Sequence, residues 1–419
     1  MIPVPVEAEK NTKSVTVTRE PFVIPGFLVS AVASGMRYSG RPDLALIVAS
    51  EGGSAIAAGV FTTNEFCAAP VIVCEEHLRV SSTTTAVLIN AGIANACTGE
   101  AGLRQARETA RLTAQALSVS REKILVASTG VIGMQMPVEP VARVLPELLE
   151  GLRGDGWDLV ARAIMTTDTV PKLASARVEI DGTCVTIGGV AKGAGMISPN
   201  MATLLAFVCT DAAIDKDVLE HWVRVGADAS FNAITIDGDT STNDSLVVLA
   251  GGAAANPVIT DKESQGSRLF GEALRAVLLD LSKQIVMDGE GATKLIEIHV
   301  TGALDDASAR QIAFAIANSP LVKTAFFGGD ANWGRIIAAA GRAGVHLISE
   351  RVALYFNDLC VFREGTPVGT KEVEEKATRI FKQKEIAVKL DLALGSGSFT
   401  AFTCDFSYDY IKINASYRS

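Results

Sequence analysis

Apolar positions along the chain occur in blocks with two different spacings. Short apolar runs bounded by Gly, Pro or Asn are typical of buried strands, and longer segments with apolar residues every three or four positions are typical of helices. The predicted strands are residues 44–49, 57–61, 87–92, 124–127, 233–237 and 296–301. The predicted helices are residues 103–117, 138–152, 217–229 and about 266–287. This alternation predicts layered α/β structure.

The later part of the chain has its own set of elements. Residues from about 302 to 390 hold further helices and a strand pair around 352–362, so a second lobe is predicted there. The end, residues 386–419, is predicted to be rich in strands. A length of 419 residues is enough for two lobes that each bury a core.

Composition narrows the class of protein. Hydrophobic residues make up 48% of the chain, yet no run approaches the roughly 20 apolar residues of a membrane span. The first residues lack a basic segment followed by an apolar one, so a cytoplasmic location is expected. A net charge of −9 without a Lys/Arg stripe argues against nucleic acid or anionic membrane as partner. A small-molecule substrate is therefore expected.

Metal and redox chemistry have little support. The seven cysteines are scattered without a Cys-x-x-Cys pair, which predicts reduced packing residues rather than a zinc site. The acidic loop at residues 237–244 does not have the spacing of an EF-hand calcium loop. No metal is expected.

The most informative segment is the loop at residues 192–203. Gly193 and Gly195 tolerate unusual backbone angles and Pro199 restricts its neighbours, so the peptide ahead of Thr203 is open to strain. The simpler interpretation is a turn that enters a buried strand. Cleavage before a threonine would create a nucleophile with its own base, because a free α-amine titrates at about 7.7–8.0.

Read in order, residues 192–207 (KGAGMISPNMATLLAF) resemble the cleavage-site motif of the ornithine acetyltransferase (glutamate N-acetyltransferase) family of arginine biosynthesis. Four other strings, at residues 127–133, 165–169, 237–244 and 329–336, are also similar to the family, and the resemblance runs from about residue 22 to the end. The family usually has proline where this chain has Ala331.

The resemblance implies a fold and a processing step. It implies an αββα-type sandwich related to N-terminal-nucleophile hydrolases, with a smaller second α/β lobe. It implies autoproteolysis between Ala202 and Thr203 into an α chain (1–202) and a β chain (203–419) that remain associated, as an α2β2 assembly. Thr203 becomes the nucleophile, and Thr129 and Gly130 correspond to the oxyanion hole.

The resemblance also implies the reaction. Thr203 takes acetyl from N2-acetylornithine and passes it to glutamate in a ping-pong scheme that needs no cofactor, although some members of the family also use acetyl-CoA as donor. The residues that correspond to the family's substrate-binding positions are Thr166, Lys192, Thr203, Glu290, Asn414 and Ser419. Ser419 stands where the family commonly has threonine. We hypothesise that Lys192 meets the substrate carboxylate and Glu290 its distal ammonium.

Other functions stay open at this point. An N-terminal-threonine amidohydrolase or aminopeptidase shares the same nucleophile, and related members of the family act in specialised-metabolite pathways. A nucleotide-binding protein is suggested only by the glycines at residues 188–195, which lack the Gly-Lys-Ser/Thr end of a phosphate loop.

Overall fold

A computed structural model of the chain describes residues 15–50, 53–198 and 204–416. Its strands are β1 Val17–Thr18, β2 Phe27–Val32, β3 Leu44–Ala49, β4 Ala55–Phe61, β5 Thr83–Thr84, β6 Ala86–Ile93, β7 Ile124–Val131, β8 Lys172–Ile180, β9 Thr183–Lys192, β10 Leu205–Thr210, β11 Ile234–Thr235, β12 Ser245–Ala250, β13 Leu295–Ala303, β14 Ala353–Phe356, β15 Leu359–Arg363, β16 Thr366–Pro367, β17 Glu385–Asp391 and β18 Gly397–Cys404. Its α-helices are α1 Ala69–Val80, α2 Gly99–Leu117, α3 Glu139–Glu150, α4 Trp157–Ala163, α5 Lys216–Asp228, α6 Gln265–Met287, α7 Asp306–Ala317, α8 Pro320–Gly328, α9 Trp333–Gly341, α10 Lys371–Ile380 and α11 Tyr408–Ser416.

The strands of these described residues form three sheets. Sheet A has the order β1-β8-β9-β10-β12-β4-β5, and sheet B has the order β2-β3-β6-β7. Sheet C has the order β11-β18-β13-β17-β14-β15-β16. Most pairs are antiparallel, but four are parallel: β6 with β7, β10 with β12, β11 with β18 and β13 with β17. The strands of a parallel pair end at a common edge of the sheet.

Sheets A and B pack face to face because their strands alternate between two apolar faces. In β10, Phe207 packs into the core between the two sheets, whereas Val208 packs under helices α5 and α6. In β3, Ile47 faces sheet A and Leu46 faces the opposite side, under α1, α2 and α3. The layers are therefore helices, sheet B, sheet A and helices, which confirms the predicted αββα sandwich.

Sheet C carries the smaller second lobe, and helices α7 to α10 contribute to its apolar core. Its β13 and β18 also contact the main body, since Leu295, Phe402 and Cys404 join the apolar cluster under α6. The lobe therefore rests against the long helix that covers sheet A.

The predicted strand-rich end is wrong for its last described part. β17 and β18 are present, but Tyr408–Ser416 is helix α11. Tyr and Ile favour strands, yet Tyr408 and Ile411 stay 74% and 66% exposed here. Ser407 Oγ, just before the helix, donates to the Gly291 carbonyl at 2.6 Å, so docking against another loop sets this helix.

Candidate active site

A cleft of about 600 Å³, counting the part open to solvent, lies beside the ends of β7 and β9. Six of the residues predicted from the sequence line it: Thr129, Gly130, Thr166, Lys192, Glu290 and Asn414. Ala202, Thr203 and Ser419 lie outside the described residues. The antiparallel pairing of Lys192 with Leu205 brings the described chain that follows residue 203 to the same wall.

Gly130 sits in a strand that continues further than predicted. The parallel pairing of β6 with β7 continues past Ala127, and it places Gly130 opposite Gly92. The φ of Gly130 is 129°, and a Cβ there would lie 2.2 Å from the carbonyl carbon of Gly92. Any side chain at this position would collide with backbone, so the close approach of the two strand ends at the cleft requires glycine.

Lys192 ends β9 and joins two threonines across the cleft. Its side chain is only 4% exposed. The ammonium Nζ donates to Thr166 Oγ1 at 2.9 Å and to Thr129 Oγ1 at 3.3 Å. Thr129 and Thr166 come from different segments, one in β7 and the other after α4, so a single cation connects the predicted oxyanion hole with the predicted substrate site.

A buried carboxylate, that of Asp168, lies close to the Lys192 ammonium. Asp168 Oδ1 accepts hydrogen bonds from Lys172 Nζ and from the Gly193 amide, both at 2.7 Å. Its Oδ2 accepts from the Thr166 amide at 3.0 Å and lies 4.0 Å from Lys192 Nζ. Burial opposes ionisation of Asp168, but the charges of Lys192 and Lys172 and these hydrogen bonds hold its pKa at about 2.

Charge around Lys192 is balanced by several groups. Burial lowers the pKa of Lys192 and nearby Lys172 lowers it further, whereas Asp168, Glu290 and Asp244 oppose this fall. Lys172 is itself fully buried and also donates to Asp288 Oδ2 at 2.6 Å. The roles of Asp168, Lys172 and Asp288 were not predicted from the sequence, although a lysine at the start of an apolar strand was a usable signal.

Glu290 and Asn414 meet on another side of the cleft. Asn414 Nδ2 on α11 donates to Glu290 Oε2 at 2.8 Å, and the Glu290 amide donates to the Ala194 carbonyl at 2.7 Å. A Cβ on Gly195 would lie 2.6 Å from Glu290 Cδ. Gly195 therefore leaves the space that the Glu290 carboxylate occupies.

The acidic loop at 237–244 holds the described chain on both sides of residues 199–203. Asp237 accepts hydrogen bonds from the amides of Met196 and Ile197 at 2.6 and 2.9 Å. Asp244 Oδ1 accepts from the Leu204 amide at 2.8 Å. Burial raises the pKa of Asp237 to about 6 and raises that of Asp244 well above its usual range.

The same loop also ties the two sheets together at the cleft. Asn243 Nδ2 donates to the carbonyls of Ala94 and Ser128, at 2.7 and 2.9 Å. No role for the string at 237–244 was predicted from the sequence. The structure shows that it anchors β6, β7 and the segments that flank the predicted cut.

Other kinds of site find no support in the described residues. Gly188 and Gly189 lie inside β9 and pair with both neighbouring strands, unlike a phosphate-binding loop that precedes a helix. In the described ranges, no group of three or more His, Cys, Asp or Glu side chains is placed to hold a metal ion. Among the residues that the structure describes, no helix has the length and apolar character of a membrane span.

Comparison with known proteins gives extensive matches. The model of the ArgJ family matches residues 28–419. An arginine biosynthesis bifunctional protein ArgJ from Geobacter sulfurreducens is 50% identical over 396 residues, covering 94% of this chain and 100% of that protein. The protein of the same description from Syntrophotalea carbinolica is 48% identical over 394 residues, covering 94% and 99%. A crystal structure of the ArgJ bifunctional protein from Bacillus halodurans is similar with a TM-score of 0.49 and 43% identity, covering 51% of this chain and 99% of that chain.

Proposed function

Because this chain belongs to the ArgJ family and is an acetyltransferase of arginine biosynthesis, we propose that it moves acetyl from N2-acetylornithine to glutamate after cutting itself between Ala202 and Thr203. The observation that carries the proposal is the convergence of Thr129, Gly130 and Lys192 on one cleft, beside the strand that begins at Leu205. This is the arrangement that acyl transfer to a residue at position 203 requires.

The first step is self-cleavage. The Thr203 hydroxyl attacks the carbonyl carbon of Ala202, and the acyl group moves from nitrogen to oxygen as the C–N bond breaks. Water then hydrolyses this ester, which leaves a carboxylate on Ala202 and a free α-amine on Thr203. Asp237 and Asp244 support this step because they hold the amides of Met196, Ile197 and Leu204, and anchored flanks limit how the intervening peptide relaxes strain.

The second step is acetyl transfer. The Thr203 amine takes the hydroxyl proton as Oγ attacks the acetyl carbonyl of N2-acetylornithine. The Thr129 hydroxyl and the Gly130 amide stabilise the tetrahedral oxyanion. The C–N bond then breaks, ornithine leaves with the proton on its α-nitrogen, and an acetyl ester stays on Thr203. The α-amine of glutamate attacks this ester in the reverse sequence and leaves as N-acetylglutamate.

The cleft offers partners of both signs for such substrates. We assign Lys192 to the substrate carboxylate and Glu290 to the distal ammonium of ornithine, with Thr166, Asn414 and Ser419 as polar neighbours. The Asn414 hydrogen bond fixes one oxygen of Glu290 and leaves Oε1 for a ligand. Glutamate carries a carboxylate in place of that ammonium, so its binding must draw on donors such as Asn414.

The two chains should remain together after the cut. In sheet A, β10 and β12 come from the β chain, and they lie between β9 and β4 of the α chain. Each of these two junctions is a ladder of six residue pairs. Separation would expose both ladders and the apolar core between the sheets, so we propose a stable αβ unit and, as in the family, an α2β2 assembly.

The relatives' description as bifunctional supports a second donor. We propose acetyl-CoA for this role, because an acetyl thioester acylates the same threonine and leaves glutamate as the acceptor. No bound cofactor is needed in either reaction.

The proposal is tested by trapping the acetyl-enzyme. Mixing the cut protein with N2-acetylornithine alone should add one acetyl group to the β chain by mass, and glutamate should then remove it as N-acetylglutamate. The steady-state rates should follow ping-pong kinetics. If the acetyl group is lost to water equally fast with and without glutamate, the protein is instead an N-terminal-threonine amidohydrolase.

A further inference from the structure

The hydrogen bonds of Lys192 determine which way two hydroxyl groups point. A lysine ammonium has three donors and no acceptor. Thr129 Oγ1 and Thr166 Oγ1 must therefore both accept from Lys192 Nζ, at 3.3 and 2.9 Å. Each hydroxyl proton is left to point away from the lysine.

The hydroxyl proton of Thr129 therefore points into the cleft. Thr129 lines the cleft, and hydrogen bonds within the described ranges give its hydroxyl proton no acceptor. A proton fixed in this direction is a donor before any ligand arrives. Donors that need no reorganisation are those that stabilise an oxyanion most effectively.

This arrangement depends on the charge of Lys192. A neutral amine has a lone pair, and it would accept the Thr129 or Thr166 hydroxyl proton, which would reverse the hydrogen bond and remove the donor from the cleft. Four titratable groups act on Lys192 from the elements packed around it: Asp168, Lys172, Glu290 and Asp244. Burial lowers the pKa of Lys192, and Asp168 opposes this fall more strongly than Glu290 or Asp244 does. Asp168 is itself held by Lys172, which Asp288 binds in turn.

We propose that Asp168 is a positioning residue that keeps Lys192 charged, and that charged Lys192 orients the Thr129 hydroxyl as a hydrogen-bond donor into the cleft. This deepens the proposed function and rests on it, since Thr129 is assigned there to the oxyanion. It gives Lys192 a role in the rate of acyl transfer in addition to substrate binding. Self-cleavage passes through a similar oxyanion and should use the same donor.

The test compares Asp168→Asn with the wild type between about pH 6 and about pH 9, which brackets the ordinary titration of the Thr203 amine. Asn keeps the shape and one acceptor oxygen but removes the charge, so the pKa of Lys192 should fall. At about pH 9 the ratio of variant to wild-type kcat should be about 0.01 or less, since a lost oxyanion donor costs about 100-fold or more in kcat. The ratio should recover as the pH falls and Lys192 regains its proton.

Controls separate this role from a structural one. Asp211 is a buried acid beyond β10 that accepts the Thr186 amide at 2.7 Å, so Asp211→Asn tests loss of a buried charge away from the cleft. The ratio of the kcat of Asp211→Asn to that of the wild type should not rise as the pH falls. In a Thr129→Val background, Asp168→Asn should have no further pH-dependent effect. In a Thr129→Ser background, which keeps the hydroxyl, Asp168→Asn should again have its pH-dependent effect. A constant ratio for Asp168→Asn, or a change in KM alone, would overturn the proposal.

A second measurement does not depend on acetyl transfer. Cyanate carbamoylates only neutral amines, so the modification of Lys192, followed by peptide mass, reports its protonation. Lys192 of Asp168→Asn should react at lower pH than Lys192 of the wild type. Equal profiles would overturn the proposal even in a protein without activity, whereas wild-type protein that neither cuts itself nor transfers acetyl would contradict the proposed function alone.

Discussion

Replacing Gly195 by alanine should displace Glu290 and weaken the binding of N2-acetylornithine. A Cβ at this position would lie 2.6 Å from Glu290 Cδ and Oε2. Ordinary contact begins at 3.4 Å, so the carboxylate must retreat by about 0.8 Å. Gly195 is not among the glycines with positive φ, so the effect comes from space rather than from backbone strain.

The size of the effect follows from the contacts of Glu290. A retreat of this size stretches the 2.8 Å hydrogen bond from Asn414 beyond useful length and moves the carboxylate from its proposed place against the ligand's ammonium. Hydrogen bonds to charged groups contribute about 1.5–3 kcal/mol. KM for N2-acetylornithine should therefore rise about 10- to 100-fold.

The assay is the initial rate against N2-acetylornithine at saturating glutamate, on protein shown by mass to be fully cut. Gly341→Ala is the matched control, because a Cβ there meets nothing within 4 Å. It should leave KM unchanged. A Gly195→Ala protein that folds and binds substrate as the wild type does would refute the placement of Glu290 in the substrate site.

Three further predictions concern Glu290 in the cleft, Asp237 in the acidic loop and the association of the two chains. Glu290→Gln should raise KM for N2-acetylornithine by about 10-fold through loss of one charge, and unchanged kinetics would contradict the ammonium pairing. The pKa of Asp237 is raised from 3.8 to about 6, so its contribution to stability is full below about pH 4 and lost as the pH rises through 6. The free energy of unfolding of the wild type should therefore fall by at most about 3 kcal/mol over this pH range, and Asp237→Asn should not show this fall. Urea unfolding at several pH values measures it. After the cut, the two chains should elute together and unfold in one transition, and separate elution without denaturant would disprove the shared sheet.

Most of the layered fold was predictable because the burial of strands and helices determines the spacing of apolar residues in the sequence. The apolar run 44–49 reads as a buried strand, and in the structure β3 is covered on both faces, by sheet A and by helices. Helix α6 follows the apolar spacing predicted at about 266–287. Helix α11 was missed because its position depends on docking near Gly291, which no local pattern encodes.

The cleft was predictable only where a family motif marked it. Thr129, Thr166 and Lys192 were identified by resemblance, and their contacts require three segments to meet. The support from Asp168 was not foreseen, since its link to Asp288 through Lys172 joins residues more than a hundred positions apart. Sequence spacing carries no information on such contacts.

If Thr203 becomes the first residue of a separate chain, the intact mass of the purified protein will show it. We expect two fragments, residues 1–202 and 203–419, and a single uncut chain for Thr203→Ala. The second fragment should begin with a free threonine amine by terminal sequencing. A wild-type protein that is folded and soluble but remains one chain would rule out the mechanism, because the free Thr203 amine that serves as the base would not exist.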